Sequence, residues 1–129
     1  MDLSLNVLIV EDDHAMAQMC AKLIRRRGHF PIIAGSGQDA LQILQIGRNV
    51  DAVISDIQMP QMSGIELLAQ VRDINAQIPV ILMTGYTNVV SATEAVSLGA
   101  ADYLSKPFDS ETLIGSLERS FLKRVPEHA

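Results

Sequence analysis

Val7-Leu8-Ile9-Val10-Glu11-Asp12-Asp13 is an apolar, β-branched run that breaks abruptly into three consecutive acids, and its reading decides the fold. A strand with one face in water would alternate polar and apolar residues. This one does not, so both of its faces are covered, as in a parallel sheet sandwiched between helices. Working outward, short apolar runs recur at Pro31 to Ala34, Ala52 to Ile54, Val80 to Met83 and Asp102 to Leu104. Each is followed by a segment whose apolar residues repeat at helical spacing. Five βα units result, which predicts a doubly wound α/β fold: a five-stranded parallel sheet flanked by five helices.

The helices can be placed coarsely. Ala15, Met16, Met19, Leu23 and Ile24 mark an apolar stripe on the first, and Arg25-Arg26-Arg27 before Gly28 supply positive charge and a stop at its C-terminus. Ala40, Leu41 and Leu44 line the second, which ends before Gly47. Ser63 with Glu66 three residues on predicts a capping box opening the third, carried by Ile65, Leu68, Ala69 and Val71 or Arg72 toward Asp73. The fourth is expected from Asn88 to Leu98, with Gly99 as its stop. Asp109 or Ser110 opens the fifth, with Leu113, Ile114, Leu117, Phe121 and Leu122 facing inward and Pro126 beyond its end. One domain over residues 1–129, with a core from about 4 to 124, accounts for nearly the whole chain.

Composition removes several classes of function. The 129 residues are 48% hydrophobic and 19% charged, and the longest apolar runs fall far short of a membrane span. With Asp2 where a secretory signal would want positive charge, the expectation is a soluble cytoplasmic protein. Cys20 is the single cysteine, so neither an internal disulfide nor a multi-thiolate zinc site can be built. A formal charge of -5 is the wrong sign for direct attraction to nucleic acid.

In open α/β sheets, ligands sit beyond the carboxyl ends of the strands. That rule selects Glu11-Asp12-Asp13 after strand one, Asp56 after strand three, Thr84 after strand four and Lys106-Pro107 after strand five. Carboxylates crowded into one crevice repel each other unless a counter-charge is present. Oxygen donors without a His/Cys cluster favour a hard cation, and Mg²⁺ is usually held by one or two carboxylates, waters and a phosphate oxygen. Lys106 adds a flexible point charge suited to a phosphate oxygen, and Thr84 adds a hydroxyl donor. If the anion is a phosphoryl group, one carboxylate can act as nucleophile and form an acyl phosphate. Asp56 is the best candidate, standing alone at the end of a central strand, whereas the adjacent Glu11 and Asp12 look like the cation-holding pair.

Val7 to Asp13, Val53 to Pro60 with Asp56-x-x-Met59-Pro60, Met83-Thr84-Gly85, and Leu98-Gly99-Ala100-x-Asp102-Tyr103-Leu104-x-Lys106-Pro107 together resemble the receiver domain of two-component response regulators. The resemblance covers almost the whole chain. It implies a sheet of order 2-1-3-4-5 and transfer of a phosphoryl group from a histidine kinase or phosphotransfer protein onto an aspartate. Matched position by position, it implies Asp56 as phosphoacceptor and Glu11, Asp12 and Asp56 as Mg²⁺ ligands, joined by the backbone carbonyl of Gln58. Thr84 and Lys106 would contact the phosphoryl group, with Thr84 and Tyr103 forming a switch that alters the face of helix four, strand five and helix five. That face would engage a downstream protein target or output domain, or a second copy as a homodimer. The resemblance further implies a cis peptide at Lys106-Pro107, and phosphoryl lifetime tuned by Gln58 and by Tyr86, whose bulk would screen the group from water. Such a domain is not an enzyme; it catalyses only its own phosphorylation and dephosphorylation.

Plainer readings compete at single positions. Asp13 reads as a helix-start residue. Thr84-Gly85 alone would be a strand-end turn and Lys106 alone a solvated lysine; joint placement gives them meaning. His14, His29 and His128 read as surface imidazoles, the arginine run as a helix C-terminus, Gly35-Ser36-Gly37 as a loop, and the six methionines mostly as core filler. Three rival functions share the fold or its chemistry. A haloacid-dehalogenase-like, Mg²⁺-dependent aspartyl-phosphate phosphatase wants a second aspartate where Gln58 stands. A flavodoxin-like cofactor binder would have its flavin phosphate repelled by Glu11-Asp12-Asp13. A phosphorylation-independent protein-interaction module would not need the complete acidic, hydroxyl and lysine set.

Overall fold

Val10 lies level with both Ala34 and Ser55, so the first strand is flanked on either side by parallel partners whose carboxyl ends finish together. The structure is a computed structural model and describes residues 3–85 and 92–124. Its strands are β1 (Asn6–Val10), β2 (Phe30–Ala34), β3 (Ala52–Asp56), β4 (Val80–Thr84) and β5 (Asp102–Ser105). They alternate with α1 (His14–Arg26), α2 (Gly37–Gln45), α3 (Gly64–Ile74), α4 (Ala92–Ser97) and α5 (Ser110–Leu122). All strand pairs are parallel and the order is β2-β1-β3-β4-β5, as the resemblance implied.

Continuous apolar strands are explained by two cores, one on each face of the sheet. Because side chains alternate, Val7 and Ile9 of β1, Ala52 and Ile54 of β3, and Ile81 and Met83 of β4 face α1 and α5, where they meet Cys20, Ala21, Ile24, Leu113 and Leu117. Leu8, Val10, Val53, Val80 and Leu82 face the opposite way, against Leu41 and Leu44 of α2, Leu67, Leu68 and Val71 of α3, and Ala95 of α4. Each fully buried leucine or isoleucine contributes about 1.5–3 kcal/mol over an exposed one. β2 is an edge strand, the position in a sheet where Pro31 is tolerated.

Several sequence expectations need correction. On α1 the buried face is Ala17, Cys20, Ala21 and Ile24, while Met19 is exposed and Ala15 faces solvent. Of the predicted stripe, Ile24 is buried and Met16 and Leu23 are half-buried against the same core, so the stripe follows one edge of a buried face whose centre is the small Ala17, Cys20 and Ala21. Ala69 on α3 is exposed and Leu67 buried in its place, and Leu122 at the end of α5 is exposed. The expected start of the fourth helix and Pro126 lie outside the described residues.

His29 is the clearest correction: it is buried, not a surface imidazole. The Leu5 N–H donates to its Nδ1 at 3.0 Å, which leaves Nε2 as the protonated nitrogen, 2.9 Å from Glu118 Oε2 on α5. Arg27 approaches the other oxygen of Glu118 at 3.8 Å. A polar side chain at this position is tolerated because both ring nitrogens have partners. His14 is exposed as expected, and His128 lies outside the described residues.

Candidate functional site

The register of the sheet assembles the site. Val10 is level with Ser55, which sets Glu11 beside Asp56; Asp56 is level with Met83, one residue before Thr84; and Thr84 is level with Ser105, one residue before Lys106. By alternation, Glu11, Asp56 and Lys106 share the parity of the α1/α5 face, whereas Thr84 and Tyr103 share that of the opposite face. Tyr103 is half-buried and packs against the α2–α4 core, away from the carboxylates.

Glu11, Asp12 and Asp56 each offer a carboxylate oxygen, and these oxygens lie within 4.8 Å of one another. Glu11 and Asp56 are buried, and Asp12 is exposed at the mouth. The Lys106 ammonium donates to Glu11 Oε1 at 2.9 Å and lies 3.5 Å from Asp56 Oδ2. The other Glu11 oxygen accepts from the Asp13 N–H at 3.2 Å. Asp13 itself caps α1, its side chain accepting from the Met16 N–H, so the helix-start reading holds. The Lys106-Pro107 peptide is cis, and the Lys106 N–H donates to the Thr84 carbonyl at 2.7 Å. Gln58 and Gly85 join Asp56 and Lys106 around an open pocket of about 350 Å³. Tyr86 lies outside the described residues.

Burial lifts the Glu11 carboxyl above its ordinary range, and the Lys106 hydrogen bond and the Asp13 N–H only partly offset it. For Lys106, burial opposes the charge, but the hydrogen bond to Glu11 and the Asp56 and Glu11 carboxylates outweigh it, raising its pKa. The two shifts have different causes: the surplus of carboxylate over ammonium holds the proton on Lys106, whereas on Glu11 burial dominates and the Asp56 charge only adds to it. Burial pushes the nearby Cys20 thiol up to about 11, consistent with core packing.

Two residues that the sequence reading passed over position Asp56. The Gly64 N–H donates to the Ile57 carbonyl at 2.8 Å, and a Cβ on Gly64 would collide with the Asp56 carbonyl oxygen and stand 2.9 Å from the Ile57 Cα. Glycine is thus required by close approach of α3 to the end of β3. Ser55, fully buried, donates its hydroxyl to the Asp56 carbonyl at 2.9 Å. A glycine at the first helical turn, right after the Ser63 capping box, was the available signal for the first; nothing in the sequence marks the second.

Comparison with known proteins agrees with this geometry. Residues 7–118 match the family model described as the response regulator receiver domain. The chain is 37% identical over 118 residues to the transcriptional regulatory protein ZraR of Escherichia coli, covering 91% of this chain but only 26% of that protein. It is 32% identical over 121 residues to the transcriptional regulatory protein FixJ of Bradyrhizobium diazoefficiens, covering 94% of this chain and 58% of FixJ. The chain therefore spans about a quarter of the length of ZraR. Among solved structures, a response regulator receiver domain protein from Clostridium thermocellum superposes with a TM-score of 0.86 at 27% identity, covering 94% of this chain and 96% of that one. The chemotaxis protein CheY4 of Vibrio cholerae superposes with a TM-score of 0.82 at 32% identity, covering 92% of this chain and 99% of its own. On the match over residues 7–118 and the shared fold, this chain belongs to the response regulator receiver domain family.

Proposed function

We propose that Asp56 is the phosphoacceptor of a two-component phosphorelay. The observation that carries this reading is the meeting of three carboxylates within 4.8 Å with one lysine ammonium bridging two of them. A carboxylate oxygen of Asp56 attacks the phosphorus of a phosphohistidine on a histidine kinase or phosphotransfer protein. The P–N bond breaks, its electron pair returns to the imidazole, and Asp56 becomes an acyl phosphate. Lys106 is within reach to exchange its contact with Glu11 for a phosphoryl oxygen, and Thr84 at the neighbouring strand end supplies a hydroxyl. Attack by water later releases inorganic phosphate and restores the carboxylate, with Gln58 and Tyr86 setting the lifetime.

The donor set fits a hard divalent cation: all-oxygen, anionic, and short of positive charge. Glu11, Asp12, Asp56 and the Gln58 carbonyl would hold Mg²⁺, which when bound neutralises carboxylate and phosphoryl oxygens. Glu11 enters this set already engaged by Lys106 and the Asp13 N–H, so its share is to hold Lys106 as well. Acyl phosphate formation draws Thr84 toward the new oxygens. Thr84 and Tyr103 share one face of the sheet, so movement of one opens room for the other and changes the α4–β5–α5 surface offered to a target, an output domain or a second copy. The protein works in the cytoplasm as a self-modifying regulator, not an enzyme acting on a separate substrate.

Intact-protein mass after incubation with Mg²⁺ and acetyl phosphate tests the reading. The wild type gains one phosphoryl group and Asp56→Asn gains none. A gain in both, or in neither, contradicts the assigned acceptor.

A further inference from the structure

The amino end of the sheet, opposite the acidic cluster, carries a second concave feature. A cavity of about 410 Å³ opens where β4 and β5 begin and α3 and α5 end. Four cationic side chains line it: Arg72 from α3, Arg119 from α5, and Lys123 and Arg124 just after α5. The whole chain has ten lysines and arginines and a net charge of -5, so this is a strong local reversal of sign.

Among the described residues that charge is only partly balanced. Among the described residues, none of the four cations takes part in an ion pair, whereas Arg27 and Lys106 both do. Among the described residues Asp102 is the one carboxylate lining the cavity; its oxygens accept from the Ser116 hydroxyl at 2.6 Å and from the Tyr103 N–H at 2.8 Å, and its charge offsets one of the four cations. The competing explanation is that the cations offset the C-terminal ends of α3 and α5. Each helix end carries roughly half a negative charge, so the two ends and Asp102 together offset about half of the cationic charge and leave the rest unbalanced. The wall is also not purely polar: Ile78 is half-buried and Pro79 buried, offering an apolar surface beside the cations. Volume, a cluster of cationic side chains and an apolar wall together match a small-molecule site.

We propose that this cavity binds an organic phosphate of nucleotide size, its carbon framework against Ile78 and Pro79 and its phosphate oxygens on Lys123, joined by Arg72 and Arg119 as they turn from the Gly99 carbonyl, to which Arg72 donates at 3.4 Å, and from Gly115, over which the Arg119 guanidinium lies. Arg124 contributes field more than contact, since its guanidinium stacks on the Phe121 ring at 3.8 Å and donates to the Phe121 carbonyl at 2.7 Å. Such a ligand would read out a metabolite at the far end of the strands that carry Asp56 and Lys106, independently of phosphorylation.

Amide chemical-shift titration of the full chain with ATP in EDTA tests the proposal, with pyrophosphate, adenosine and a polyglutamate peptide as separate arms. Saturable ATP binding with a dissociation constant below about 1 mM at low salt is expected, weakening as salt rises. The shifts should centre on residues 76–78, 99–102 and 119–124, and adenosine should give no saturation. Arg119→Gln combined with Lys123→Gln should weaken ATP binding at least about tenfold, while Arg25→Gln combined with Arg26→Gln leaves it unchanged. Acetyl phosphate labelling of both double variants checks that they remain folded. Absent saturation, equal affinity in the Arg119/Lys123 variant, or shifts confined to the Lys106 pocket would overturn the assignment. So would pyrophosphate or polyglutamate binding at least as tightly as ATP.

Discussion

Replacing His29 by leucine tests the buried contact that ties the start of β1 to α5. The imidazole is fully buried, with the Leu5 N–H on Nδ1 at 3.0 Å and Glu118 on Nε2 at 2.9 Å. Leucine has similar bulk but no acceptor, so the Leu5 N–H loses its partner inside the protein, at a cost of about 1–3 kcal/mol. Glu118 retains partial exposure, 26% of its side chain, and regains water, so its share of the loss is under about 1 kcal/mol. The two together give about 1–4 kcal/mol, which at a urea dependence of about 1.5 kcal/mol/M lowers the unfolding midpoint by roughly 0.7–2.7 M. Urea titration followed by far-UV circular dichroism at neutral pH measures it. Glu118→Gln, which keeps an acceptor for the His29 Nε2–H and leaves the Leu5 bond intact, should cost less than about 1 kcal/mol. If Glu118→Gln costs as much as His29→Leu, or if both are silent, the hydrogen bond from Leu5 is not what holds His29 in the core.

Gly64→Ala sets a methyl group against the Asp56 carbonyl; it should destabilise the fold by about 1–3 kcal/mol and slow acetyl phosphate labelling, and a wild-type rate would refute the positioning role. Without metal, Glu11 contributes a pH dependence whose sign follows from its raised pKa. Above its ordinary value of 4.5 the folded chain holds a proton that the unfolded chain has released, so stability falls as pH rises through that window. Glu11→Gln in EDTA should therefore flatten the decline between mildly acidic and neutral pH; an unchanged slope of urea midpoint against pH would refute it. The raised Lys106 pKa has its consequence at the other end, where stability should fall as pH climbs past 10.5 and the bridging ammonium is lost, a decline that Lys106→Met should remove. Mg²⁺ at about a hundredfold excess over its dissociation constant should stabilise the fold by about 2.7 kcal/mol, and EDTA should abolish both that gain and the labelling; a melting temperature indifferent to Mg²⁺ counts against the cation site.

Sequence alone determined the number and kind of elements, because unbroken apolar runs such as Val7 to Val10 have few alternatives to a strand covered on both faces. It also pointed to Glu11, Asp12, Asp56 and Lys106, which meet in the structure, since strand ends in a parallel sheet are where loops can carry polar chemistry. The capping box at Ser63 and the Asp13 cap were legible for the same local reason: the partners lie three residues away. What only the tertiary structure decided is long-range. The phase of α1 depended on which side chains the sheet could accept, and helical spacing does not favour Ala17 over Met19. The burial of His29 depended on partners 24 and 89 residues distant, Leu5 and Glu118, and no local pattern announces them. Gly64 and the basic cavity likewise exist only because the folded chain brings α3 against β3 at one end of the sheet and collects cations from separate elements at the other. Hydrophobic period is a property of neighbouring residues, whereas steric fit and charge pairing are properties of surfaces that meet only after folding.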